Sequence, residues 1–189
     1  IAFSGTWAQA KEVLRDLEVK RNSGDGIVDV QIIPSNMHVL TRNGITSYYE
    51  EVTSTGTWAQ ANTGATSRSF RGLTGYLTNI TSQEENDLIK DKMTSQGWVG
   101  GSDSGTEGTW KWMDGPEAGD TFYTGNRSGV AGNLVGYSGY QGSWVSWNAG
   151  EPNNSANEDY LQTNFGGAGL WNDLGSASTL TTYIVEFGG

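Results

Sequence analysis

The chain has 189 residues and a formal net charge of −10, which makes nucleic acids and anionic membrane surfaces unfavourable partners, and no apolar run approaches the roughly 18 residues of a membrane span. It has no cysteine and a single histidine, His38, which excludes disulfides, zinc ribbons, thiol catalysis and iron–sulfur clusters and argues against histidine-rich metal sites. Its 28 glycines, 8 tryptophans and only 17% charged residues are typical of a loop-rich, mostly β domain of the extracellular type.

The first 36 residues differ from the rest, and we predict that they form a helix-and-strand extension to a main domain at residues 37–189. Thr6 is a suitable helix cap, and residues 27–33 predict a strand. The apolar side chains of the predicted helix share one face: Trp7, Ala10, Val13, Leu14 and Leu17. The abrupt start and end predict a piece of a longer protein, in which the extension either packs on the domain or remains from a preceding module.

The main domain begins with a predicted hairpin and a predicted helix. Residues 39–52 predict the hairpin, because Asn43-Gly44 separates two apolar arms. Thr57 predicts the start of the helix, with Trp58 and Ala61 facing inward.

A strand and a second helix follow. Residues 76–80 predict the strand. The sequence Thr-Ser-Gln-Glu that starts at Thr81 predicts a capping box, with Thr81 as the cap and Glu84 reaching back to it. The helix should run to about residue 93, with these residues facing inward: Leu88, Ile89 and Met93.

The remainder is predicted to be strands and loops. Residues 109–113 and 181–187 predict strands, residues 125–142 a glycine-rich excursion, and residues 151–169 a polar loop outside the core. The side chains that should share one face of a strand are Trp110 and Trp112 in the first and Tyr183, Val185 and Phe187 in the second. Six tryptophans are predicted to belong to the core: Trp58, Trp98, Trp110, Trp112, Trp147 and Trp171.

Oxygen-bearing side chains are concentrated in three short stretches near the C-terminus, and two more acids lie upstream. The stretches are Glu151-Pro152-Asn153-Asn154, Glu158-Asp159 and Trp171-Asn172-Asp173, and the upstream acids are Asp103 and Glu107. Carboxylates and amide carbonyls without histidine or cysteine form the ligand set of a hard cation, and calcium tolerates irregular loops better than magnesium does. Any one of these residues alone is well explained as solvated surface. Together they would repel one another without a cation, so the sequence predicts calcium.

In their order, these motifs resemble the C-type lectin-like domains, over residues 48–187. Glu151-Pro152-Asn153, the acidic pair after it and Trp171-Asn172-Asp173 are similar to the family's calcium and sugar motifs. Trp98-Val99-Gly100-Gly101 is similar to its core strand motif, with a glycine in place of the usual leucine. Two upstream segments are similar to its first helix, strand and second helix: residues 58–61 and 75–86. The cysteines that usually close this fold are missing, which suits a bacterial branch.

The resemblance implies an α+β fold with two helices, small antiparallel sheets and a long calcium-binding loop. It also implies one or two calcium ions and a cis peptide bond before Pro152. The principal calcium site, which would also bind sugar, would use Glu151, Asn153, Glu158, Asn172 and Asp173. The auxiliary site would use Asp103, Glu107, Asn154 and Asp159, with Glu158 shared between the two.

The chemistry of the principal site also suits a sugar. Calcium accepts more than six ligands, so two positions can be left for the hydroxyls of a vicinal diol. Glu151 and Glu158 can accept hydrogen bonds from those hydroxyls, and Asn153 and Asn172 can donate to them. A diol that is fully hydrogen-bonded in this way can be buried favourably.

We therefore expect calcium-dependent recognition of cell-surface glycans. The resemblance implies sugars of the mannose or fucose type. The domain would be one module of a large extracellular adhesin on a bacterial surface. No reaction is implied, nor is binding to nucleic acid or insertion into a membrane. One alternative is a domain of the same fold that binds a protein or another non-sugar ligand, with calcium only shaping the loop. A second is a glycosidase that uses two of these acids.

Overall fold

In a computed structural model of the chain, the structure describes residues 33–93, 95–125 and 144–189, together with the backbone of residues 133–134. The chain divides into two units, Ile1–Ser35 and Asn36–Gly189. The helix predicted in the first unit lies outside the described residues, as do nearly all of the predicted 27–33 strand and the 125–142 excursion. The predicted division into an extension at residues 1–36 and a domain at residues 37–189 stays a prediction.

The described part of the second unit contains two helices and twelve strands. The helices are α1 (Trp58–Thr66) and α2 (Gln83–Lys92). The strands are β1 (Met37–Arg42), β2 (Ile45–Gly56), β3 (Ser69–Phe70), β4 (Leu73–Thr74), β5 (Tyr76–Leu77), β6 (Gly97–Ser102), β7 (Thr109–Trp112), β8 (Thr121–Thr124), β9 (Asn133–Leu134), β10 (Tyr160–Thr163), β11 (Trp171–Leu174) and β12 (Leu180–Phe187). In this part of the chain, neither helix is long and apolar enough to cross a bilayer.

The strands form one large sheet and one small hairpin. The large sheet runs in the order β1-β2-β12-β6-β7-β8-β9, with β5 added to β12 and the β10–β11 hairpin added to β6. Strands β3 and β4 pair with each other alone. Within the described residues, β12 and β6 are parallel and the other named pairs are antiparallel. The predicted α+β class is confirmed.

Two local predictions near the start of the domain are confirmed. Strands β1 and β2 form a hairpin whose turn residues, Asn43 and Gly44, have φ values of 52° and 82°. Positive φ at both turn residues matches the right-handed twist of the strands. Helix α1 starts after Thr57, whose side chain accepts from Gln60 N while the Gln60 side chain accepts from Thr57 N. It buries three residues: Trp58, Ala61 and Ala65.

The predicted start of α2 is wrong by one residue. Ser82, not Thr81, caps the helix and accepts from Glu85 N at 3.2 Å. The carboxylate that reaches back is Glu85, which accepts from the backbone N and the hydroxyl of Thr81 at 2.7 and 2.6 Å. Burial explains why the helix starts one residue later than predicted, because Glu85 is 7% exposed while Glu84 faces solvent.

Aromatic side chains form the centre of the core. Trp112 stacks on Phe122 with 4.1 Å between ring centroids, and Trp171 meets both rings edge-on. Edge-to-face and offset-stacked rings are the favourable arrangements for such pairs. Of the six tryptophans predicted to be core, Trp147 is only partly buried, packed against this cluster, and the other five are buried: Trp58, Trp98, Trp110, Trp112 and Trp171.

Two strand predictions need correction, and a third is confirmed. The strand predicted at residues 76–80 ends at Leu77, because Asn79 N donates to the Glu186 side chain instead of to a neighbouring strand. Residues 151–169 are not all loop, since β10 lies inside this range and its Leu161 is fully buried. Tyr183, Val185 and Phe187 share one face of β12, as predicted, and this face is buried. The opposite face is buried too: Thr182, Ile184 and Glu186.

Three glutamates that the sequence analysis did not single out are buried close together: Glu85 on α2, Glu117 between β7 and β8, and Glu186 on β12. The Tyr49 hydroxyl lies 2.9 Å from Glu85 Oε1 and 3.4 Å from Glu186 Oε1, and Asn79 Nδ2 donates to Glu117 at 3.0 Å. Burial, then the charges of Glu85 and Glu117, raise the pKa of Glu186 well above its ordinary value. Folding therefore favours the protonated form of Glu186.

The substitution Glu186→Gln is expected to stabilise the domain, and more so at high pH. A carboxyl whose pKa rises on folding contributes stability that is full below its unfolded pKa and is lost as the pH rises towards its folded pKa. Glutamine imitates the protonated form and does not titrate, so its advantage in melting temperature should be larger at pH 8 than at pH 5. Each 1 kcal/mol corresponds to about 2–4 °C in a protein of this size.

The control is Glu84→Gln, the same change at an exposed position of α2, which should have little effect at either pH. A difference in melting temperature between Glu186→Gln and the unchanged protein that does not grow from pH 5 to pH 8 would contradict the raised pKa of Glu186.

Candidate functional site

Three chain segments meet at one end of the sheet and bring together the predicted calcium-binding residues. Asp103 N, just after β6, donates to Asp159 O at 3.1 Å, and Asp159 N donates to Leu174 O at the end of β11, also at 3.1 Å. The loop before β10 carries the motif that begins at Glu151, and the Glu151–Pro152 peptide bond is cis, as the resemblance implied.

The Asp173 carboxylate fixes this loop to β11. The side chain is fully buried. Its Oδ1 accepts from Asn153 N at 3.1 Å and its Oδ2 from Asn154 N at 2.8 Å. The two motifs that are twenty residues apart in the sequence are thus joined directly through one side chain.

Further hydrogen bonds order the loop internally. Asn153 Nδ2 donates to Glu151 Oε2 at 2.5 Å. Ser155 N lies 2.8 Å from Asn153 Oδ1 and 3.0 Å from Glu158 Oε2, so the predicted ligands Asn153 and Glu158 share one donor. Asn154, Ala156 and Asn157 have φ values of 50°, 58° and 70°. Asparagine tolerates this left-handed conformation better than most residues, which suits an Asn-rich loop.

Asn172, the fifth predicted residue of the principal site, is 4% exposed. Its Nδ2 donates to Gln162 Oε1 at 3.1 Å and to Asp173 O at 2.7 Å. The structure thus brings all five predicted residues of the principal site to the same end of the sheet, with the Asn172 amide nitrogen directed at protein acceptors.

The predicted auxiliary site is less completely assembled. Asp103 is 2% exposed; its Oδ2 accepts from Gly108 N at 2.8 Å, and its Oδ1 is buried without a hydrogen-bond partner. Asn154 Oδ1 accepts from Glu158 N at 2.8 Å, and Asp159 Oδ2 accepts from Asn157 Nδ2 at 2.9 Å. Glu107 is exposed in the same turn as Asp103, and its negative charge contributes to raising the pKa of Asp103.

Burial, and then the crowding of the acids, shifts their pKa values upward. Burial, then the charge of Asp173 and more weakly that of Glu158, raise the pKa of Glu151 to about 7. Burial and the charge of Asp173 also raise the pKa of Glu158. Burial raises the pKa of Asp103 to about 7, with smaller contributions from the charges of Glu107, Asp159 and Asp173, while the Gly108 N–H opposes the shift.

These residues fit a hard cation in their chemistry. The predicted ligands offer oxygen atoms, one of them the unpartnered Oδ1 of Asp103, and their mutual repulsion favours any positive charge among them. In the described part of the chain, however, no group of three acidic or histidine side chains is gathered closely enough to hold a metal ion by itself. Asparagine oxygens would therefore have to complete any calcium site.

Gln162, which belongs to none of the sequence motifs, lies opposite Asn172 in the β10–β11 hairpin. The side chain is 1% exposed, and its Nε2 donates to Gln96 Oε1 at 2.8 Å. No sequence pattern marks this position, because three consecutive residues of β10 are buried and its two faces do not alternate between buried and exposed.

A sequence profile of the Lectin C-type domain matches residues 54–160. The chain is 37% identical over 143 residues to Halomucin of Haloquadratum walsbyi, covering 75% of this chain but only 1% of that protein. The crystal structure of the C-type lectin CEL-I from Cucumaria echinata has a TM-score of 0.58 at 23% identity, covering 83% of this chain and 98% of that chain. A calcium-independent type II antifreeze protein has a TM-score of 0.58 at 20% identity, covering 84% and 95%. At these identities, the two structures show a shared fold alone.

The raised pKa values predict that the domain without calcium loses stability as the pH rises from the unfolded pKa of these acids, about 4, towards their folded pKa of about 7. In this range Glu151 and Asp103 hold protons in the folded state that the unfolded chain has already lost. Asp103→Asn keeps an oxygen that can accept from Gly108 N, but it cannot ionise. In chelator, its advantage in melting temperature over the unchanged protein should therefore increase from pH 5 to pH 8. A pH-independent difference between the two proteins would contradict the raised pKa of Asp103.

Proposed function

The chain belongs to the C-type lectin domain family, and on that premise we propose that its second unit binds glycans through calcium. Domains of this family generally bind carbohydrate and calcium, and they act as binding proteins rather than enzymes. The proposed principal site, for calcium and sugar, consists of Glu151, Asn153, Glu158, Asn172 and Asp173. The proposed auxiliary calcium site consists of Asp103, Glu107, Asn154 and Asp159, with Glu158 shared.

The observation that carries the proposal is the pair of hydrogen bonds from Asn153 N and Asn154 N to the buried Asp173 carboxylate. Those bonds bring the Glu151-Pro152-Asn153 motif to Asn172 and Asp173, so that oxygens from both motifs are available to one ion. Calcium accepts six to eight oxygens at about 2.3–2.6 Å, which suits a site built from carboxylates and amides.

The electrostatics support a cation independently of the family. Glu151 and Asp103 have pKa values of about 7, first because both are partly desolvated and then because other carboxylates lie near them. A divalent cation would remove that repulsion and favour the ionised forms. The carboxylates, which repel one another without the ion, would then be drawn closer to a common centre.

A vicinal diol is the sugar feature that the principal site suits best. Bound calcium would polarise the two hydroxyls, Glu151 and Glu158 would accept hydrogen bonds from them, and Asn153 would donate. In the family, this motif goes with equatorial 3- and 4-hydroxyls of the mannose type, or with fucose. We propose the same ligand class for this chain.

A second candidate function is binding of a non-sugar ligand. It is favoured by the calcium-independent type II antifreeze protein, which has the same fold. A fold does not determine a ligand. The presence of every principal-site residue favours the sugar, and the measurements below separate the two candidates.

The chain spans only 1% of the length of Halomucin. We propose that the domain acts outside the cell, as one module of a large surface adhesin that binds cell-surface glycans. Its net charge of −10 argues against nucleic acid as a partner.

Calcium should raise the melting temperature. An ion at 100 times its dissociation constant adds about 2.7 kcal/mol to the free energy of unfolding. Extracellular sites bind calcium at about 10⁻⁴–10⁻³ M, so millimolar calcium should be compared with chelator. Asp173→Asn should abolish most of the shift, whereas Asp120→Asn, which changes an acid outside both sites, should keep it. Equal melting temperatures of the unchanged protein in calcium and in chelator would refute the calcium proposal.

The double exchange Glu151→Gln with Asn153→Asp should change the preferred sugar. It keeps the net charge and the number of candidate oxygen ligands, but it reverses which side of the diol meets a donor. A mispaired hydroxyl costs about 1–3 kcal/mol, so mannose binding should weaken about 5- to 150-fold while galactose gains relative to it. Competition by free monosaccharides for binding to immobilised mannose measures both effects.

For the unchanged protein, inhibition by galactose as strong as by mannose or fucose would contradict the proposed sugar class. Calcium binding without binding to any member of a glycan array would favour the non-sugar candidate.

A further inference from the structure

We propose that Gln162 is a positioning residue that fixes the orientation of the Asn172 amide and thereby presents its oxygen to the calcium ion. This inference rests on the proposed calcium site and deepens it. Gln162 belongs to none of the motifs that resemble the family's calcium and sugar motifs.

The geometry is a chain of three amides that crosses two strands. Gln96 Oε1 accepts from Gln162 Nε2 at 2.8 Å, and Gln162 Oε1 accepts from Asn172 Nδ2 at 3.1 Å. Gln162 and Asn172 lie directly opposite each other in the β10–β11 pair. Each amide therefore sets the orientation of the next, because an amide has its donor and its acceptor on opposite sides.

The orientation of Asn172 is fixed twice. Its Nδ2 donates to Gln162 Oε1 and also to Asp173 O at 2.7 Å, so both N–H hydrogens are used within the protein. Rotation of the amide by 180° would direct Oδ1 at two carbonyl oxygens, which is unfavourable. The oxygen is thus the atom that remains for a ligand, and oxygen is the atom that calcium accepts.

The burial of Gln162 supports a specific role. It is 1% exposed, and burial of an amide is favourable only where its polar atoms are hydrogen-bonded. Its neighbour Thr163 is a contrast, because it is fully buried on the same strand and its hydroxyl has no hydrogen-bond partner. An apolar residue would satisfy packing at either position, but only at position 162 would it leave the orientation of a proposed calcium ligand free.

The test is calorimetric titration of the full chain with calcium chloride, without sugar. The step that Asp173→Asn removes identifies the principal site. Gln162→Leu should weaken that step about 10- to 100-fold, the usual effect of removing a residue that orients a metal ligand. Gln162→Glu keeps an acceptor for Asn172 Nδ2, so this variant should bind calcium with an affinity close to that of the unchanged protein. Thr163→Val is the matched control and should leave calcium affinity unchanged.

Melting temperatures in chelator show whether a variant is folded. If Gln162→Leu does not fold, Gln96→Ala replaces it, since residue 96 is exposed and its side chain holds Gln162 Nε2. A smaller loss of calcium affinity in Gln96→Ala then supports the inference, and unchanged affinity overturns it.

Three other results would overturn the inference. If the unchanged protein binds calcium and Gln162→Leu binds it equally well, the positioning role is wrong while the calcium site stands. If Gln162→Glu loses as much affinity as Gln162→Leu, the acceptor at position 162 is not what matters. If the unchanged protein binds no calcium, the proposed function fails and this inference fails with it.

Discussion

The arrangement of the candidate site depends on one buried carboxylate, that of Asp173. Its two oxygens accept the backbone N–H groups of Asn153 and Asn154, and its strand, β11, is held against β10 in the sheet. A charged acceptor that takes two backbone donors out of water makes strong, directional bonds. The loop is therefore held by the same side chain that we propose as a calcium ligand, so loop order and ion binding are coupled.

Acidic side chains lie close together in two regions of this domain, and the pKa values of these acids differ between the two regions. In the interior, burial and then the charges of Glu85 and Glu117 raise the pKa of Glu186 and favour its protonated form. At the candidate site, Glu151 and Asp103 have pKa values of about 7, so near neutral pH they are divided between their two forms. A carboxylate that ionises near neutral pH can exchange its proton for a metal ion. Glu85, Glu117 and Glu186 are thus part of the buried core, whereas Glu151 and Asp103 belong to the site that we propose for calcium.

The sequence predicted those features that depend on local chemistry. The Asn43-Gly44 turn and the cap at Thr57 each need only a few adjacent residues, and the motif order from Glu151 to Asp173 was sufficient to indicate the family. Features that depend on tertiary burial were missed. Ser82 and Thr81 are both acceptable caps, and only the burial of Glu85 selects Ser82. Strand β10 was hidden because a short buried strand follows directly after an acidic loop.

At the candidate site, too, the features that depend on tertiary packing could not be predicted from the sequence. Its ligand types could be read from the sequence, whereas the amide chain through Gln162 could not, since it needs the pairing of β10 with β11. The raised pKa of Asp103 likewise follows from burial and from Asp159 and Asp173, which are distant in the sequence. Motifs thus indicate which atoms are present, and packing determines how they are oriented and charged.

The most direct test of the central claim is a crystal structure of the protein grown with calcium and mannose. The claim predicts a calcium ion bound by oxygens of Glu151, Asn153, Glu158, Asn172 and Asp173, with two adjacent hydroxyls of the sugar on the same ion. An ordered loop with no cation among these residues, or mannose bound elsewhere on the domain, would contradict it.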